Sequence, residues 1–377
     1  MVSRILQERI EKMMFKNKVI IVYGARRVGK TTMVNQILQN NQSGKYFNCD
    51  LLQVKSALET TNSTLLHDFI GDSKLIVLDE AQQIENIGKI LKIMIDNFPG
   101  VQIIVTGSSS FELANTLSEP LTGRSRQFVL FPFSMEELHE KEAWLDLNAK
   151  LNKIIVHGLY PEVYGLSGDE AVEELQNISS NYLYKDVLQL SSIKRPDLIL
   201  KLMKALALQV GSEYSLNEIA VLLGENVHTI KKYIEILEQA FVIFNLKSFS
   251  RNLRKELGKR NKVFFYDNGI RNSILMNFNQ LDSRNDTGQL WENFCISERL
   301  KHNNNHRQFK NIYFWRTYSQ VEIDYIEEYN GELFAYEFKW GNTKRKKPPK
   351  EFLEAYENSV YQVIDRDNYI EFITGKI

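Results

Sequence analysis

Two glycines, a lysine and a threonine stand at a spacing suited to gripping phosphate. Gly24-Ala25-Arg26-Arg27-Val28-Gly29-Lys30-Thr31 fits G-x-x-x-x-G-K-[ST]. Glycines let backbone N–H groups converge on phosphate oxygens, and a following helix adds the positive end of its dipole. The flanks agree: Lys18 to Tyr23 is an apolar run that predicts a buried strand, and Thr32 to Leu38 has a helical pattern. The expected nucleotide-binding set is Gly24, Ala25, Arg26, Arg27, Val28, Gly29, Lys30, Thr31 and Thr32. In it Lys30 reaches the β- and γ-phosphates and Thr31 holds Mg²⁺, so ATP and Mg²⁺ are the implied cofactors.

Downstream, Lys74-Leu75-Ile76-Val77-Leu78-Asp79-Glu80 predicts a second buried strand ending in two carboxylates, the Walker B pattern. Asp79 would bind Mg²⁺, directly or through water, and Glu80 would orient the attacking water. A third strand, Val101 to Thr106, leads into Gly107-Ser108-Ser109-Ser110. In P-loop ATPases of the AAA class a polar side chain at this strand end senses the γ-phosphate. Ser108 is the first choice, with Thr106 and Ser109 behind it, and a serine turn capping the next helix is the plainer reading. Arg124, with Arg126 as a spare, is placed to act as a finger on a neighbouring subunit's nucleotide or to make structural salt bridges.

Strands alternating with helices imply a parallel sheet with its ligand at the carboxyl ends of the strands. Tyr46 to Asp50 supplies a further strand, and Ser134 with Glu137 predicts a capping box as the chain leaves this region. The 377 residues suggest two or three domains. Forty-seven basic residues balance 47 acidic ones, so nucleic acid would have to be met by a local patch. Cys49 and Cys295 give neither a metal spacing nor a disulfide framework. Met1 to Phe15 predicts an amphipathic helix, and no apolar run approaches the ~20 residues that span a bilayer. A soluble, cytoplasmic protein without a membrane partner is expected.

Ser215 to Gly224 and Val227 to Gln239 predict two short helices before a strand at Phe241 to Leu246, a winged-helix layout. Val227, Ile230, Ile234 and Leu237 mark a buried face, while His228, Lys231, Lys232 and Glu235 point out toward phosphate or a protein partner. Arg251, Arg254, Lys255, Lys259 and Arg260 extend the basic stretch. Further on, Glu292 falls on a helix, Asp324 on a strand and Glu337-Phe338-Lys339 on another. Side chains alternate along a strand, so Glu337 and Lys339 share a face that Asp324 could join. Two carboxylates can hold Mg²⁺ beside a lysine that positions or deprotonates water, the arrangement of the PD-(D/E)XK nuclease fold, although a structural ion pair would look the same. The loop Lys344-Arg345-Lys346-Lys347-Pro348-Pro349-Lys350 could grip a backbone or simply be solvated.

The order of P-loop, Leu78-Asp79-Glu80, Thr106 to Ser110, Leu121 to Arg124 and Phe131 to Ser134 resembles a prokaryotic family of AAA-type ATPases. His157-Gly158-Leu159-Tyr160-Pro161-Glu162 and Tyr182, Tyr184, Lys185 and Asp186 resemble further family segments with no evident mechanism. The resemblance implies a C-terminal domain of unknown function with a PD-(D/E)XK-like fold. It implies metal ligation by Asp324 and Glu337, water activation by Lys339 and a supporting acid at Glu292, although no proline precedes Asp324. The expected fold is α/β: an AAA-type P-loop domain over 1–145, a helical and winged-helix domain over 146–255 and a restriction-endonuclease-like domain over 256–377. The expected activity is Mg²⁺-dependent ATP hydrolysis coupled to DNA binding, in a chain that could assemble with its own copies. The rivals are an ATP-switched regulator with an inactive nuclease fold, an ATP-gated defence nuclease and a protein-remodelling ATPase.

Overall fold

The structure is a computed structural model that describes residues 2–41, 43–107, 121–183, 195–250, 261–317, 319–341 and 347–377. It divides into two compact units, the first built mainly from residues up to Pro132 and the second from Phe133 onward.

The first unit is organised by five parallel strands: β1 (Val19–Tyr23), β2 (Gly44–Asn48), β3 (Leu75–Asp79), β4 (Gln102–Gly107) and β5 (Ser125–Val129). Their order is β2-β3-β4-β1-β5. Every residue of β1, β3 and β4 is buried, which is why these strands read as largely apolar runs, with polar residues only at their ends, rather than as alternating ones. The edge strand β2 carries no fully buried residue. β4 lies between the strand that enters the P-loop and the strand that ends in Asp79, so three strand ends converge on one crevice. The expected N-terminal helix spans Ile5–Met13 and buries Leu6 and Ile10. The helix after the P-loop runs Lys30–Gln39.

The second unit holds a mixed sheet of β6 (Glu213–Tyr214), β7 (Ile243–Ser248), β8 (Asn261–Phe265), β9 (Asn311–Arg316), β10 (Glu322–Tyr329), β11 (Glu332–Phe338) and β12 (Ser359–Ile364), ordered β12-β11-β10-β9-β7-β8-β6. β7–β9 and β11–β12 are parallel and the other pairs antiparallel. The boundary expected at 255/256 therefore falls inside one sheet, because Lys247 and Ser248 of β7 pair with Tyr313 and Phe314 of β9. The boundary expected at 145/146 likewise lies inside this unit rather than at its edge. Phe249, Trp315, Ile323, Ile326, Leu333, Ala335 and Phe352 form an apolar cluster against the sheet.

The capping box is present: Ser134 accepts the Glu137 N–H and Glu137 accepts the Ser134 N–H ahead of the Met135–His139 helix. The helix pair appears as Leu216–Leu223, capped by Ser215 and closed by a left-handed Gly224, and Val227–Gln239. Ile230, Ile234 and Leu237 are buried there, and His228, Lys231, Lys232 and Glu235 are exposed. Gly158 has φ +73°, and a Cβ there would lie 1.9 Å from an Asp267 carboxylate oxygen. Asp267 uses that close approach to accept the Leu159 N–H at 2.7 Å while capping the Asn268–Leu275 helix. The segment around Gly158 is thus a packing device. Both cysteines are buried and unpaired. Among the described residues no helix is long and apolar enough to cross a membrane.

Candidate functional sites

In the first unit the P-loop leaves β1 at Gly24, whose φ is +150°. A Cβ at Gly24 would meet the Leu130 carbonyl oxygen at 2.2 Å, so the loop can turn here only with glycine. Gly29 caps the next helix in the left-handed region. Lys30 is buried, and its ammonium donates to the carbonyls of Gly24 and Ala25, each at 2.9 Å. Arg4 crosses beneath the loop, donating to Val28 O at 2.7 Å and Phe131 O at 2.6 Å.

Asp79 is the hub of this crevice. One carboxylate oxygen accepts the Thr31 hydroxyl at 2.8 Å and the Tyr46 hydroxyl at 2.5 Å. The other accepts the hydroxyl of Thr106 from the end of β4. Burial, together with Asp79, raises the pKa of the Tyr46 phenol, which stays a donor. Thr106 also accepts the Glu80 N–H at 3.2 Å, and Glu80 sits at φ +55°, a conformation that clusters at functional sites. The Glu80 carboxylate accepts from Gln82. Arg124 is turned to Asp96 at 2.9 Å, with both side chains 43% exposed. Ser108 and Ser109 lie outside the described residues.

In the second unit Asp324 of β10 and Glu337 of β11 come together as expected. The Phe338 N–H donates to Asp324 at 2.9 Å, and Lys339 stands 2.7 Å from Glu337. Glu292 joins from the Thr287–Asn305 helix. The unexpected member is Lys262 of β8, 3% exposed, whose ammonium lies 3.4 Å from Glu292 and 4.0 Å from Asp324 and contacts Glu322 directly. Burial disfavours the Lys262 charge, but Glu292, Asp324 and Glu322 outweigh it and raise its pKa. Burial pushes Glu292 up to about 8 against the pull of Lys262. Burial likewise pushes Asp324 up to about 6, with Lys262 opposing and Glu337 reinforcing. Tyr184, Lys185, Asp186, the stretch Arg251 to Arg260 and the Lys344 to Lys346 part of the basic loop lie outside the described residues.

Residues 16–139 match the family model described as an AAA domain. The first unit carries an AAA-type P-loop domain. Residues 148–281 and 287–373 match two models each described as a domain of unknown function, DUF8612 and DUF4143. An uncharacterized protein of Methanocaldococcus jannaschii is 25% identical over 95% of this chain and 82% of its own length. One from Mycobacterium tuberculosis is 24% identical over 89% of this chain and 73% of its own. The solved Walker-type ATPase of Pyrococcus abyssi superposes with a TM-score of 0.49 at 15% identity, covering 72% of this chain and 94% of that one.

Within the first unit, sequence reasoning missed Arg4 and Tyr46. Neither belongs to the motif, and each reaches its partner across a long stretch of chain. Thr106 ranks behind Ser108 in the sequence, although a hydroxyl closing the apolar run Ile103-Ile104-Val105 is an available signal. Lys262 and Glu322 had one signal each: a charge beside a run of apolar strand residues.

Proposed function

We propose that the chain is a Mg²⁺-dependent ATPase whose nucleotide state governs a C-terminal unit that engages DNA. The constellation of Thr31, Asp79 and Thr106 carries the first half. Adjacent oxygens around Mg²⁺ at 2.0–2.1 Å stand about 2.9 Å apart. The Thr31 hydroxyl and Asp79 carboxylate oxygens are 2.8 Å apart, which fits a shared ion. Mg²⁺ bound there would neutralise developing phosphate charge. Lys30 would exchange the Gly24 and Ala25 carbonyls for phosphate oxygens, and Glu80 would hold the attacking water. Thr106, tied to both acids, positions them. ATP hydrolysis should fall by more than about 100-fold in Lys30→Ala. An unchanged rate would remove the assignment.

For the second half, the exposed His228, Lys231 and Lys232 offer phosphate contacts from the helix a winged helix would seat in a groove. The order helix, β9, β10, β11, helix, β12, with Asp324 and Glu337 on adjacent strands, supports a PD-(D/E)XK-like core. One observation favours gripping over cutting: the buried Lys262 ammonium stands within 4.0 Å of Glu292, Glu322 and Asp324, where it competes with a metal ion for these acids. The reading with an inactive nuclease fold is therefore preferred to a cutting enzyme. A protein partner for the helix pair is the second reading, favoured by Val221 at 84% and Leu222 at 68% exposure. The experiment incubates the protein with plasmid DNA and Mg²⁺, with and without ATP, beside Glu337→Ala and Lys30→Ala. Salt-sensitive retardation without cleavage is expected. Cleavage that disappears in Glu337→Ala would make this a working nuclease, and no retardation at low salt would favour the protein partner.

A further inference from the structure

His302 and His306 lie one helical turn apart, at the end of the Thr287–Asn305 helix and just beyond it, so their rings share a face, with centroids 4.4 Å apart. Glu136, from the short Met135–His139 helix, enters between them. One of its oxygens is 3.0 Å from His302 Nδ1 and the other 3.0 Å from His306 Nε2. The three ligand atoms all lie within 4.8 Å of one another. We propose that Glu136, His302 and His306 form a binding site for a divalent transition metal, with zinc the best-suited ion, separate from both sites above.

The donor set is two imidazoles and a carboxylate, the chemistry that zinc takes in three-ligand sites. With metal–ligand distances of 2.0–2.1 Å, neighbouring donors of a tetrahedron stand about 3.3 Å apart; each histidine lies 3.0 Å from its own Glu136 oxygen, and the three ligand atoms, all within 4.8 Å of one another, need a modest contraction to share one ion. The ligands are held before any ion arrives. Glu298 accepts the Met135 N–H at 2.6 Å and Lys301 donates to the Phe133 carbonyl at 3.0 Å, which locks the helix of Glu136 against the helix that carries His302. His302 is 5% exposed, and Gln308 lies 3.4 Å from its Nε2. Turning the Gln308 amide over would offer its oxygen to an Nε2–H and leave Nδ1 free for the ion. His306 is 36% and Glu136 23% exposed, so an ion has a path in and a water can complete the shell.

The test uses the full-length chain, stripped with a chelator and kept in excess Mg²⁺ to occupy the nucleotide site. Zn²⁺ is titrated calorimetrically and Co²⁺ spectroscopically, beside His306→Gln and Glu136→Gln. One Zn²⁺ per chain is expected, with the intense visible bands of a four-coordinate Co²⁺ complex. Each variant should weaken binding by more than about 100-fold, since losing a ligand outweighs losing a supporting partner. His306 is the more exposed ligand, so its variant should keep the wild-type circular dichroism and still lose the metal. Equal stoichiometry and affinity in wild type and both variants would overturn the site. So would a wild type that binds no Zn²⁺.

Discussion

At the residue scale, Thr106 matters more than its size suggests. Its hydroxyl donates to Asp79 and accepts the Glu80 N–H, so one group fixes the orientation of both acids of the AAA domain. Thr106→Val keeps the shape and removes both bonds. Hydrolysis should fall by about 10- to 100-fold while nucleotide binding changes little, as separate turnover and equilibrium-binding assays will read. Arg124 presents a cleaner separation. Its pairing with Asp96 is exposed, and such pairs stabilise by about 0–1 kcal/mol. Release of Arg124 to a neighbouring copy's nucleotide would therefore cost little. If it serves there, Arg124→Ala loses hydrolysis, Asp96→Ala keeps it, and neither shifts the melting temperature by more than a degree or two. Equal activity in both variants would make the pair merely structural.

At the element scale, local pattern located the strands and tertiary contact decided the rest. β1, β3 and β4 were legible because residues buried on both faces must be apolar, and the observed ends differ from the expected ones by a residue or two. The helix pair was legible through its caps and its 3.6-residue period. Asp324, Glu337 and Lys339 could be aligned by strand alternation. Lys262 could not, because nothing local announces that β8 points a lysine at acids from β10 and a distant helix. Gly158 is a further case: its role depends on Asp267, far along the chain. Gly158→Ala should destabilise the second unit by more than about 2 kcal/mol, since it combines a positive φ with a collision against a buried carboxylate. Denaturant melts will read it, and a loss below about 0.5 kcal/mol would mean that Asp267 moves aside freely.

At the scale of the whole molecule, acid should unfold the second unit through its buried ion pairs. Burial alone would raise the Glu327 pKa, but Arg299, at 2.9 and 2.8 Å, and Lys310 hold it down at about 2 against an ordinary 4.5. Burial likewise acts on Asp286, which Arg284 and Arg271 hold at about 2 against 3.8. A depressed carboxylate stabilises fully above its unfolded pKa and loses that contribution as protons compete. Stability should therefore fall from about pH 4.5 toward pH 2 as these two acids take up protons. Glu327→Gln should flatten part of that fall and, by leaving Arg299 buried without its counter-charge, cost about 3–5 kcal/mol at neutral pH. Unfolding free energies measured across that range decide it, and a stability independent of pH below 4.5 would refute the assignment.

The seam between β7 and β9 bears on how such chains are inherited. The regions matching the two domains of unknown function meet there inside a single sheet, with two residues of one strand paired to two of the other. Either region alone would present a raw strand edge and half a core, the condition that invites aggregation. A gene that gained or lost one of them would encode a liability, so the two should travel through genomes as a single heritable module.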